Sequence, residues 1–268
     1  MTAAGACGRM GLADRPDGPR VVLDAPDCAA GTTLTGRVGG VRAGEPVVLV
    51  RTESRPRGER DFAVARADAV GPDGAFAIAV PDGALPTAAG SRCELSYRVE
   101  SGGGAAAAVA IRSRARPHLD AGRGRIDRLI PNWDARRFHI EVSDAVLEGG
   151  GRIAGRVHRH GPWRVGTMTI DVSCRETWRL PTRSARGVPG WGSGWLWRHI
   201  ERLEVDPDAT WVAFDLPLPA PLPPAIEART IAWRYEIVVR RRTRSGLAES
   251  AARTPLLHEE SALAWVEG

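Results

Sequence analysis

The sequence predicts an all-β protein of two tandem β-sandwiches, and three observations predict it. First, 31 glycines and 20 prolines make up about a fifth of the 268 residues, a load suited to short strands joined by turns. Second, apolar residues alternate at period 2 in short runs separated by Gly, Pro and Asp, the pattern of half-buried strands. Third, the chain repeats itself. Gly31-Thr-Thr-Leu-Thr-Gly36-Arg37-Val38 matches Gly150-Gly-Arg-Ile-Ala-Gly155-Arg156-Val157 at an offset of 119. Phe76, Ile78, Pro81, Pro86, Leu95, Tyr97 and Val99 match Phe214, Leu216, Pro219, Pro224, Trp233, Tyr235 and Ile237 at an offset of 138, without a gap. Tyr97 and Tyr235 are the only two tyrosines, and they correspond. The offset grows by 138 − 119 = 19 residues, which assigns extra length to the second copy around 178–200.

The elements follow in order. Residues 1–19 are rich in Gly, Pro, Asp and Arg and are expected to form a disordered arm. The first sandwich spans 20–114. Arg20–Leu23 leads into a turn over Asp24–Gly31. Strands are expected over Thr32–Val38, Glu45–Thr52, Phe62–Ala67, Ala75–Val80, Arg92–Glu100 and Ala106–Arg112. Residues 115–135 hold Pro117, Gly122, Gly124 and Pro131 and are expected to be a linker. The second sandwich spans 136–258, with strands over Phe138–Val142, Gly151–His158, Thr167–Arg175, Trp195–Val205, Trp211–Leu216 and Thr230–Arg240. In the last of these, period 2 puts Ile231, Trp233, Tyr235, Ile237 and Val239 on one face and Arg234 and Glu236 on the other. A tail at 259–268 offers the one short helix, Glu259–Val266.

Composition bounds the function. The hydrophobic fraction of 43% and charged fraction of 26% belong to a folded globular chain. No run approaches the 18 or so apolar residues of a membrane span, and the first 20 residues hold no apolar core of a secretory signal. All 37 basic residues are Arg, which points to a GC-rich, bacterial genome. The net charge of +5 is spread thinly, with 14 Arg against 13 acids up to residue 115 and 23 against 19 beyond. A nucleic-acid binder concentrates its basic charge, so none is expected as partner. Cys7, Cys28, Cys93 and Cys174 share no metal-binding spacing and are expected to be free thiols in a reducing cytosol.

The motifs resemble those of the arrestin-like superfamily. In each copy a strand and a Gly-containing turn precede a short strand ending Gly-Arg-Val. Phe76-Ala-Ile-Ala-Val-Pro81 with Leu95-Ser-Tyr97-Arg-Val99 follow in the first copy. Phe214-Asp-Leu-Pro-Leu-Pro219 with Trp233-Arg-Tyr235-Glu-Ile237 follow in the second. The resemblance covers roughly residues 20–258, and bacterial sporulation-control proteins are the nearest relatives it suggests. It implies two tandem immunoglobulin-like sandwiches and scaffold or adaptor work through loops and sheet edges, without naming a partner.

Chemistry is sparse. His158-Arg-His160 would place two imidazoles on one strand face, yet no third metal ligand stands at a recognisable spacing. Gly192-Ser193-Gly194 lacks the glycine two residues before Ser193 that a nucleophile elbow needs, and no phosphate or dinucleotide fingerprint occurs. No enzyme activity, metal or cofactor is expected. The candidate site is Arg186 to Arg198. Trp191 lies between glycines, so an open loop is expected there, and period 2 puts Trp195 and Trp197 together on one face of the next strand. Trp and Arg dominate interface hot spots, so Arg186, Trp191, Trp195, Trp197 and Arg198 are expected to bind a protein partner of acidic character. Two alternatives stand beside this. Trp195 and Trp197 fill the core of the second sandwich, or the nine tryptophans serve a carbohydrate-binding module.

Overall fold

A computed structural model describes residues 19–40, 44–67, 70–112, 138–142, 146–147, 151–159, 167–183, 189–206, 208–220, 222–242 and 249–258. The expected arm up to residue 18, the linker 115–135 and the tail 259–268 lie outside them. The described residues are all-β and contain no helix, so none is long and apolar enough to cross a membrane.

Among the described residues nine strands lie before residue 113: β1 (Arg20–Leu23), β2 (Asp27–Ala29), β3 (Thr33–Gly39), β4 (Val47–Arg55), β5 (Gly58–Arg66), β6 (Ala75–Ala79), β7 (Ala88–Ala89), β8 (Glu94–Ser101) and β9 (Ala106–Arg112). Nine follow it: β10 (Phe138–Val142), β11 (Val146–Leu147), β12 (Arg152–Arg159), β13 (Thr167–Arg183), β14 (Pro189–Glu204), β15 (Trp211–Pro217), β16 (Ile226–Glu227), β17 (Ile231–Arg242) and β18 (Glu249–His258). The first set forms a three-stranded sheet, β1-β3-β6, and a six-stranded one, β2-β9-β8-β4-β5 with β7 beside β8. The second set repeats this element for element. Its sheets are β10-β12-β15 and β11-β18-β17-β13-β14, with β16 beside β17. Among the described strands a parallel pairing recurs too, β2 with β9 and β11 with β18. The expected turn at Asp24–Gly31 therefore contains a strand, because β2 borrows its pairing from β9, some 80 residues on, which local alternation cannot reveal.

The two matched sequence blocks have physical causes. Gly36 faces Phe76 across β3 and β6, and Gly155 faces Phe214 across β12 and β15. A Cβ on Gly36 would lie 2.8 Å from the Phe76 ring and closer still to the Val22 carbonyl oxygen. Gly155 is equally crowded by Phe214 and the Glu141 carbonyl. Glycine is required at both positions because an aromatic ring lies over its backbone. The tyrosines act alike too. Tyr97 Oη–H donates to the Leu85 carbonyl at 2.8 Å, and Tyr235 Oη–H to the Pro223 carbonyl at 2.6 Å, twelve residues upstream in each case. Each ring is buried and each hydroxyl satisfied.

The ladders show where the second copy is longer. Leu49 and Val172 both pair with the matched positions Val99 and Ile237, an offset of 123. Their partners on the next strand are Ala65 and His199, an offset of 134. Eleven of the nineteen extra residues (134 − 123) thus lengthen the β13–β14 ribbon, whose strands have 17 and 16 residues against 9 and 9 for β4 and β5.

The halves grip each other through two buried carboxylates at equivalent positions. Glu53 on β4 and Glu176 on β13 differ by the same 123 residues, and both are inaccessible to solvent. Glu176 accepts from the Ser91 hydroxyl (3.0 Å), the Arg92 and Cys93 amides (3.0 Å each) and the Trp233 indole N–H (3.1 Å). Glu53 accepts from the Arg229 amide (3.3 Å), the Thr230 amide and hydroxyl (2.6 Å each) and the Arg51 guanidinium (2.9 Å). Shifting Ser91 and Arg92 by 138 gives Arg229 and Thr230, so each half's glutamate caps the same chain segment of the other. The two contacts are reciprocal, as in a two-fold interface. The buried apolar residues of both halves form one hydrophobic cluster.

Candidate protein-binding surface

The ribbon β13–β14 carries the predicted tryptophans, but as strand and not as loop. Pro189–Glu204 is one continuous strand, correcting the expected open loop. Its glycines serve close packing: Gly192 faces Trp178 across the ribbon, and a Cβ there would collide with the indole. Glycine-rich sequence therefore marks a strand crossed by an aromatic ring.

Register fixes which way each side chain points. Cys174 pairs with Trp197 and Arg175 with Trp195, so a β-bulge at Leu196 interrupts the alternation. Trp195 and Trp197 consequently face opposite sides, correcting the expectation that they share one. Trp197 packs half-buried against the core side, beside buried Cys174, and its ring stacks near His199 at 6.4 Å between centroids. Trp191 and Trp195 share the outer face and are exposed, at 55% and 43%. The core-filling alternative thus holds for Trp197 only. Arg186 lies outside the described residues.

On the outer face each tryptophan stands opposite an arginine: Trp191 opposite Arg179, and Trp195 opposite Arg175. The Arg175 and Arg198 guanidinium carbons lie 4.3 and 5.0 Å from the Trp195 ring centroid, within cation–π range. Arg198 is already engaged, since it and Arg240 share the buried Asp171 carboxylate at 2.6 to 3.1 Å. Arg175 and Arg179 meet no carboxylate among the described residues. Exposed Ile200 extends the apolar part of the face. Sequence reasoning missed Arg175, Arg179 and Asp171, because which residues oppose the tryptophans depends on ribbon register.

Burial opposes the charge of Asp171, but the Arg198 and Arg240 hydrogen bonds outweigh it and hold its carboxyl below the ordinary value. A depressed folded-state pKa means the stabilisation is present above the unfolded value near 4 and is lost as pH falls through the folded one. Asp171→Asn should therefore cost about 1–3 kcal/mol at pH 7, and it should flatten the acid limb of a stability–pH curve measured by urea titration.

The equivalent face of the first half is built differently. Thr52 and Asp61 occupy the places of Arg175 and Trp195. Asp61 accepts from Thr52 (2.7 Å) and Arg98 (2.8 Å), and Arg98 also pairs with Glu100 (2.6 Å). That face is a closed network of ions. The framework needs neither the indoles nor the unpaired guanidiniums.

Other chemistry is absent from what the structure describes. Among the described residues no three His, Cys, Asp or Glu gather to hold a metal ion. His158 Nε2 lies 2.8 Å from Glu141 Oε2 across β12 and β10, and His160 is outside the described residues. Burial pushes the Cys93 and Cys174 thiols up to about 12, so neither is a nucleophile at neutral pH. No protein-family model matches the chain, and no curated protein matches it.

Proposed function

We infer that the chain is a non-enzymatic scaffold or adaptor of the arrestin-like kind, two tandem immunoglobulin-like sandwiches at 20–114 and 136–258 acting in a reducing cytosol. Its second sandwich binds an acidic protein partner through the outer face of the β13–β14 ribbon. The observation that carries this is the pairing of exposed Trp191 and Trp195 with Arg179 and Arg175, which meet no carboxylate among the described residues, where the first copy has an ion network. The sister copy folds without these aromatics and cations, and they are the side chains that dominate interface energetics. The repeated strand order, and tyrosines bonded to a carbonyl upstream as in the corner of immunoglobulin-like domains, support the architecture. Against sugar binding, guanidiniums cover the rings of two exposed tryptophans, Trp195 and Trp211, the latter by Arg156 at 4.6 Å.

Replacing Trp191 and Trp195 together with Ala should leave the melting temperature within a few degrees, because both are exposed. The same variant should capture its partner from the native host at least ~30-fold more weakly, given about 2 kcal/mol per hot-spot residue. Trp211→Ala, on the other sheet, serves as the control and should capture normally. Equal capture by all three proteins contradicts the assignment.

A further inference from the structure

We propose that the partner docks as an extended acidic segment, adding a strand to the free edge of β14 over Trp191–Trp195. This rests on the ribbon being the binding face and adds the mode and chemistry of its ligand. β14 ends its sheet, pairing with β13 on one side and with no described strand on the other. Edge strands are normally guarded by charges, by bulges or by being short. Every charged residue of β14 lies from Arg198 onward; one register shift sits at Leu196 and the other between the Trp191 and Pro189 pairings, so Trp191–Trp195 contains neither. Trp191-Gly-Ser-Gly-Trp195 carries no charge and no proline and is long enough to pair with an average strand of 5–6 residues. The equivalent edge strand β5 is guarded, by Glu59, Arg60, Asp61 and Arg66.

Strand addition supplies affinity through main-chain hydrogen bonds and specificity through alternate side chains. The alternate outward residues here are Trp191, Ser193 and Trp195, so the added strand lays apolar side chains beside the two indoles. Arg175 already reaches over Trp195 toward that edge, and Arg179 stands behind Trp191. Carboxylates on the same face of the incoming segment would neutralise both. A second copy of this chain is a poorer occupant. Pairing β14 with itself brings two sets of Arg175 and Arg179 to one seam, and the paired stretch offers no acid to either.

The test is selection of random peptides displayed against the full chain, with the Trp191→Ala/Trp195→Ala chain as counter-selection. Enriched peptides should alternate acidic and apolar residues at period 2. Binding of the strongest should slow hydrogen exchange at the amides of 191–195. It should fall at least tenfold on N-methylation of alternate peptide amides, and on Arg175→Glu with Arg179→Glu. No enrichment, basic or aperiodic peptides, or indifference to N-methylation each overturns strand addition by an acidic segment. So does a wild-type dimer in light scattering that the Trp191→Ala/Trp195→Ala chain converts to monomer, since a second copy then fills the edge. If peptides fail while native-host capture still depends on Trp191 and Trp195, the binding face stands and only this mode of docking falls.

Discussion

Glu176→Ala should lower the stability of the full chain by about 3–5 kcal/mol, because it strips one partner from a buried, charged hydrogen-bond cluster. Four donors converge on this carboxylate: the Ser91 hydroxyl, the Arg92 and Cys93 amides and the Trp233 indole. Among the described residues none of the four has another hydrogen-bond partner, and Cys93, Glu176 and Trp233 are buried where the two halves meet. At roughly 2–4 °C per kcal/mol for a chain of this size, the melting temperature should fall by about 10 °C. Glu53→Ala should act similarly through Arg229, Thr230 and Arg51. Glu176→Gln keeps the shape but turns one acceptor into a donor among donors, so it should recover only part of the loss. Calorimetry checks all three. A shift below about 2 °C for Glu176→Ala would mean the halves do not depend on this clamp.

Gly155→Ala should cost about 1–3 kcal/mol, with Gly36→Ala close to it. The added methyl meets a backbone carbonyl on one side and a buried phenylalanine ring on the other. A carbonyl in a sheet cannot swing away as a flexible side chain can. Both strands must therefore separate or the Phe214 rotamer must change. Urea titration measures the loss. If Phe214→Leu relieves part of the Gly155→Ala penalty, the ring is the cause; additive losses would place it on the Glu141 carbonyl alone.

Much of the fold was legible because its signals are local. Alternation in Leu95-Ser-Tyr97-Arg-Val99 located β8, and the gapless match to Trp233-Arg-Tyr235-Glu-Ile237 located its twin β17. The short strands β2, β7, β11 and β16 were not legible, since two or three residues carry no period and are held by partners elsewhere in the chain. The clamp was hidden for another reason. Glu53 and Glu176 correspond at an offset of 123, between the matched blocks at 119 and 138, and around them the copies share little. At the candidate site the composition pointed to a stretch that holds two exposed tryptophans, but its glycines read as loop where the chain is strand. Gly192 is instead the space that Trp178 fills, and the bulge at Leu196 turned Trp197 inward. Sequence could name the aromatic residues; only register could say which of them meet solvent and which arginines stand opposite.

The central claim is that the outer face of the β13–β14 ribbon meets a protein partner, and site-specific photo-crosslinking in the native host tests it most directly. A benzophenone amino acid in place of Trp191 should give one discrete crosslinked partner on irradiation. The same group in place of Trp211, equally exposed at 43% to the Trp195 side chain but on the other sheet, should give none. No crosslink from position 191, or the same product from both positions, would contradict the account.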